Sequence, residues 1–187
     1  MAGRLEGKIA FITGAGSVGP GWGNGRATAI RFAQEGAKVF ATDIDLANLD
    51  ETLKLAGDAA QNITTSKLDI FKASAIEESI QACIQKFGAI DILVNVVGGS
   101  AKGGPVEMTE EVWDAQVDFN LKSVFLTCKY VLPEMIKREK GSIINFASTS
   151  GTRWTGSAQI AYAATKAGVI QFSKVLAVQY AKQNIRV

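Results

Sequence analysis

Lys8-Ile9-Ala10-Phe11-Ile12-Thr13-Gly14-Ala15-Gly16-Ser17-Val18-Gly19-Pro20-Gly21-Trp22-Gly23-Asn24-Gly25-Arg26, running straight into Ala27-Thr28-Ala29-Ile30, is the stretch that decides the fold. A short apolar run, a glycine-rich loop and a helical pattern in immediate succession read as strand, turn and helix. Glycine lets backbone approach a pyrophosphate, and the free amides at a helix start supply a positive field. The context points to dinucleotide binding. A flexible surface loop would explain the composition but not the strand before it and the helix after it.

Outward from this stretch, short branched apolar runs alternate with longer helical patterns, which predicts an α/β, Rossmann-like doubly wound parallel sheet with helices on both faces. The runs are Lys8 to Thr13, Ala37 to Thr42, Ile63 to Leu68, Ile90 to Val94 and Ser142 to Phe146, making five strands. Ser74-Ala75-Ile76-Glu77 reads as a capping box opening a helix that stops at Gly88. Thr109 with Glu110 and Glu111 starts another, whose apolar spacing runs through Leu121, Cys128 and Met135, with Pro133 expected to kink its end. A final helix is expected from about Gln159 to Tyr180.

The 187 residues are one domain's worth of chain. The 20 basic and 18 acidic residues lack the bias of a nucleic-acid binder. Cys83 and Cys128 lie far apart in a chain with no histidine, so neither structural zinc nor a disulfide framework is expected, and no metal site. The start lacks a signal-like apolar stretch and no later run reaches transmembrane length, so the expectation is a cytoplasmic protein without a membrane partner.

Strand two delivers Asp43 where a Rossmann fold presents a carboxylate to the adenosine ribose, with Asp45 nearby able to share that task. A 2′-phosphate there meets like charge, so NAD is favoured over NADP. Tyr162 and Lys166, four residues apart, share a helix face. Tyrosine is a poor base at neutral pH, but a nearby ammonium favours the phenolate, fitting it to exchange a proton with an alcohol oxygen. Ser148, leaving a strand end, can hydrogen-bond that oxygen, although Thr149 and Ser150 compete for the position. Taken singly, each of these residues also fits an ordinary surface or capping position.

In chain order the glycine loop, Asp43, Asn95, Asn120, Ser148, Tyr162 and Lys166 resemble the short-chain dehydrogenase/reductase family over nearly the whole chain, from about Glu6 to Val187. Thr13-Gly14 and Gly23-Asn24-Gly25 match the two ends of the family's Thr-Gly-x-x-x-Gly-x-Gly, with extra residues between. The resemblance implies Gly14, Gly23 and Gly25 against the pyrophosphate. Gly16 to Trp22, Ser17 included, form a longer loop over it, and Asn24 belongs to the same site.

Leu68-Asp69-Ile70 resembles the adenine-contacting segment, and Asn95 and Gly98 resemble the Asn-Asn-Ala-Gly stretch after strand four, where Val96-Val97 depart from it. The resemblance counts both with the cofactor site, Asn95 tethering backbone between strands and Gly98 allowing close cofactor approach. Asn120, Ser148, Tyr162 and Lys166 are the implied catalytic set, with Asn120 supporting a water relay to the lysine and Tyr162 and Lys166 also touching the cofactor. The implied reaction is NAD-dependent interconversion of a small-molecule secondary alcohol and a ketone, 3-oxoacyl-reductase-like or sugar/alcohol-dehydrogenase-like. A dinucleotide-binding module or interaction protein without turnover, and an epimerase or dehydratase, are the alternatives. Trp154, Ile160 and the Ser100 to Val106 loop are expected to face a substrate pocket.

Family members usually continue into a sixth strand and beyond, and usually assemble as homodimers or homotetramers. Asn184-Ile185-Arg186-Val187 looks like the start of that strand. The expectation is a C-terminally incomplete domain with one apolar edge of the fifth strand exposed.

Overall fold

The computed structural model describes residues 3–187. Among them, β1 (Ile9–Thr13), β2 (Lys38–Asp43), β3 (Ile63–Lys67), β4 (Ile92–Asn95), β5 (Gly141–Asn145) and β6 (Ile185–Arg186) form one parallel sheet. Its order is β3-β2-β1-β4-β5-β6. Thr13 is level with Thr42 on one side and with Asn95 on the other, and Asn95 is level with Asn145. The carboxyl ends of the central strands therefore finish together, which is where open α/β sheets place their ligands.

The helices are α1 (Asn24–Gln34), α2 (Leu46–Ala56), α3 (Ala73–Phe87), α4 (Glu110–Val117), α5 (Ser123–Lys137) and α6 (Ile160–Gln179). Alternation along β1 and β2 splits the core in two. Ala10, Ile12, Val39 and Ala41 point to one face and pack with Ala29 and Ile30 of α1 and Leu49 of α2. Phe11 and Phe40 point to the other and pack with Ile76 and Ile80 of α3, Val131 and Met135 of α5 and Val169 of α6. Helices on both faces explain why the strands read as unbroken apolar runs.

Three expectations need correction. The helix predicted to open at Ser74 begins at Ala73 after Lys72, with no side-chain cap. The Asp69 carboxylate accepts from the Phe71 amide at 3.1 Å and the Asp69 carbonyl from the Lys72 amide, turning the chain into α3 ahead of Ser74. The single long helix after Thr109 is instead two, α4 and α5, joined by a π-helical turn over Asp118–Lys122, and α5 runs past Pro133 to Lys137. The open edge of β5 is shorter than expected, because Ile185 and Arg186 pair with Gly141 and Ser142.

Candidate active site

A cleft of about 800 Å³ opens at the carboxyl ends of the strands, between the glycine loop and the segments following β2, β3 and β4. Gly14, Gly16, Ser17, Gly23, Asn24, Gly25, Asp43, Asp69, Ile70 and Gly98 all line it. The first amides of α1 face no side-chain cap, since Gly23 precedes the helix. Gly25 lets α1 press onto the loop: a Cβ there would lie 1.7 Å from the Gly14 carbonyl oxygen, inside any contact distance.

The inserted loop is held from behind by Arg26, whose large side chain is fully buried. Its guanidinium donates to the Gly21 carbonyl, to Thr52 Oγ1 at 3.2 Å and to Glu51 Oε2 at 2.7 Å, linking the loop to α2. Nothing local in the sequence signals this strut, because its anchors on α2, Glu51 and Thr52, lie 25 and 26 residues away.

Asp43 Oδ2 accepts from the Gly16 amide at 3.0 Å and Oδ1 from the Asp45 amide at 3.1 Å, which fixes the carboxylate at the cleft wall. Asp45 also lines the cleft, but its side chain caps α2 by accepting from the Ala47 amide at 2.9 Å. Asn95 acts as the tether between strands that its place after strand four implied. Its side chain is buried behind the cleft, donating to Asn145 Oδ1 at 2.8 Å and accepting from Thr127 Oγ1 at 2.8 Å, so it ties β4 to β5 and α5.

Of the four residues expected to be catalytic, Asn120 and Lys166 meet at Gly98, and Tyr162 lies beside Lys166. Tyr162 and Lys166 lie on one face of α6, the Lys166 ammonium 5.8 Å from the centre of the tyrosine ring. Lys166 is buried and donates to the Phe146 carbonyl at the end of β5, 2.7 Å away. Burial pulls its pKa down to about 8, because the charged form loses hydration. Asn120 is completely buried in the π-helical turn and pairs with both backbone groups of Gly99, accepting from its amide at 3.0 Å and donating to its carbonyl at 2.9 Å. A Cβ on Gly98 would sit 2.8 Å from Asn120 Oδ1 and 3.0 Å from Lys166 Nζ. The missing side chain is what lets cleft, asparagine and lysine meet.

Ser148 follows β5, and its hydroxyl accepts from the Ser150 amide at 3.2 Å, capping a short 3₁₀ turn over Thr149–Gly151. The Ser150 hydroxyl is engaged elsewhere, accepting from the Gln159 side-chain Nε2 at 2.9 Å. Gln116 was not legible as a site residue. It is buried, its Oε1 accepts from the Ala101 amide at 3.1 Å and its carbonyl accepts from Asn120, so it sews the loop after β4 onto α4. The same loop is stapled to the start of α6, where the Ile160 amide donates to the Gly103 carbonyl at 3.2 Å. Between these segments lies a second pocket of about 360 Å³, whose walls include Gly103, Gly104, Pro105, Trp154 and Ile160 as the sequence suggested.

The family model described as short chain dehydrogenase matches residues 8–187. The chain belongs to the short-chain dehydrogenase family. Its relatives include the 3-oxoacyl-[acyl-carrier-protein] reductase FabG of Thermotoga maritima, 44% identical over 184 residues, which span 98% of this chain and 72% of the relative. Oxidoreductase UcpA of Salmonella typhimurium is 39% identical over 188 residues, covering 99% of this chain and 68% of its own. Among solved structures, a Burkholderia xenovorans protein described as a short-chain dehydrogenase/reductase superposes with a TM-score of 0.97 at 52% identity, over all of this chain and 74% of that one. A variant actinorhodin polyketide ketoreductase solved with NADPH superposes with a TM-score of 0.89 at 33% identity, over all of this chain and 70% of that one. These short-chain dehydrogenase relatives are named as oxidoreductases or reductases, and the oxidoreductase class follows for this chain. No helix among the described residues is long and apolar enough to cross a membrane.

Proposed function

We propose that the chain is an NAD-dependent oxidoreductase that interconverts a secondary alcohol and a ketone, with Tyr162 as general acid and base. The observation that carries this reading is Gly98, which lines the dinucleotide-sized cleft on one side and abuts Asn120 and Lys166 on the other. The residues of the cleft fit a dinucleotide. Uncapped amides of α1 suit a pyrophosphate, Asp43 is held at the wall to accept from ribose hydroxyls, and Asp69 and Ile70 border the far end.

When bound, nicotinamide takes up or returns the hydride. In oxidation the Tyr162 oxygen accepts the alcohol proton, and in reduction it gives the proton back to the forming alkoxide. The Lys166 ammonium, fixed by the Phe146 carbonyl beside the tyrosine ring, offsets negative charge that develops there during proton transfer. Ser148 orients the substrate oxygen, and Asn120 holds Gly99 and hence the backbone beside the reacting centre. The Asp43 carboxylate favours NAD, since a 2′-phosphate would bring negative charge onto it. A 3-oxoacyl ketone is the substrate type that the Thermotoga maritima relative suggests, with a sugar-like ketone as the alternative, and a homodimer or homotetramer is the assembly that suits the family.

Incubating the chain with NAD and a panel of secondary alcohols, and following NADH absorbance, tests the reading. Tyr162→Phe is expected to lower kcat by ~10²- to 10⁴-fold while NAD still binds. NAD binding with no turnover by the wild-type chain would support a binding module instead, and undiminished turnover by Tyr162→Phe would remove the tyrosine from the mechanism.

A further inference from the structure

The second pocket is lined by apolar groups from Pro105, Trp154, Ala158, Ile160 and Ala163, and carries a single charged side chain, Arg153. No carboxylate lines it. Among the described residues Arg153 has no ion-pair partner. The carboxylate of the neighbouring loop, Glu107, is turned onto the Gly104 amide at 3.0 Å. Trp154 leaves 73% of its surface exposed at the same pocket, an apolar ring that gains by being covered. The pocket is walled by Ile160 and Ala163, which flank Tyr162 in the first turn of α6, and by Ser150, two residues after Ser148.

We propose that Arg153 selects substrates bearing a carboxylate on a compact apolar body, the carboxylate on the guanidinium and the body against Trp154, Ile160 and Pro105. This rests on the oxidoreductase reading and narrows its substrate to oxo and hydroxy acids. Arginine suits the task because its planar fork pairs with both oxygens of a carboxylate, and a pocket of about 360 Å³ matches a small acid. An exposed arginine also carries no desolvation penalty before substrate arrives.

Calorimetric titration of the full chain with phenylacetate and with phenylacetamide, in the presence of NADH, separates charge recognition from shape. Phenylacetate is expected to bind roughly tenfold tighter than the amide, the difference expected for a hydrogen bond to a charged partner. Arg153→Gln should erase that preference, and Arg153→Lys should retain part of it, with NADH affinity unchanged in both. Equal affinity of the wild-type chain for acid and amide, no measurable binding of phenylacetate, or a preference that survives Arg153→Gln overturns the inference. NADH production from 2-butanol is measured alongside. Turnover of this neutral alcohol without any carboxylate preference sinks the inference alone, whereas loss of both points to failure of the underlying oxidoreductase reading.

Discussion

Gly98 shows how one absent side chain organises the site. Adding a methyl group there forces Asn120 or Lys166 to move by several tenths of an ångström, and both are buried and already hydrogen-bonded. Small displacements of positioning groups are costly to catalysis, so Gly98→Ala is expected to reduce kcat by ~10-fold or more. Steady-state rates checked against an unchanged far-ultraviolet circular dichroism spectrum test this, and an unaltered kcat would show that the contact is slack. Lys166 gives a second prediction at the same scale. Its folded pKa of about 8 lies below the unfolded value of ~10.4, so between those values the native chain holds fewer protons than the unfolded one. Stability contributed by Lys166 is therefore least below pH 8 and rises as pH climbs through that window. The difference in melting temperature between the wild-type chain and Lys166→Met should shift in the wild type's favour from pH 8 to 10. A flat difference would mean that burial does not hold the lysine down.

At the scale of elements, the loop after β4 is shaped by what grips it. Asn120 pairs with Gly99, Gln116 with Ala101, and the start of α6 with Gly103. Gln116→Leu keeps the volume of the side chain but leaves the Ala101 amide without its acceptor. The expected result is a several-fold rise in KM for substrate with NAD affinity held, because the affected segment borders the second pocket and not the ribose end of the cleft. Stopped-flow binding of NAD and substrate saturation curves separate the two, and a parallel loss of NAD affinity would indicate wider damage.

The strands and the ends of α6 were legible in the sequence because branched apolar runs and helical spacing are local signals. The π-helical turn around Asn120 was not. It shifts the register of one turn while Leu121, Val124 and Cys128 keep a spacing that an unbroken helix also satisfies. Ser74 failed for a related reason: a correct local capping pattern lost to the Asp69 turn just before it. Asn95 was legible as a tether between strands, but its particular partners on β5 and α5 were not, since they lie 32 to 50 residues away.

For the molecule as a whole, the sheet order brings Gly14 after β1, Asp43 at the end of β2, Asp69 after β3 and Gly98 after β4 to one edge, though they are scattered along the chain. Only the folded chain offers that edge, so a dinucleotide that occupies it must raise the unfolding temperature by mass action. At a ligand concentration one hundred times Kd the gain is about 2.7 kcal/mol, which for a chain of this size corresponds to a rise of roughly 5–10 °C. The proposed role of Asp43 in favouring NAD gives the comparison between cofactors its sign. NADH should raise the melting temperature more than NADPH at equal concentration, because the extra phosphate meets an acid that the Gly16 and Asp45 amides prevent from turning away. Asp43→Asn, which keeps hydrogen-bonding capacity and removes the charge, should narrow that gap chiefly by improving the response to NADPH. Melting curves with each cofactor for the wild-type and Asp43→Asn chains decide the matter: a larger shift with NADPH in the wild type would reverse the assigned preference and place the discriminating charge elsewhere on the cleft wall.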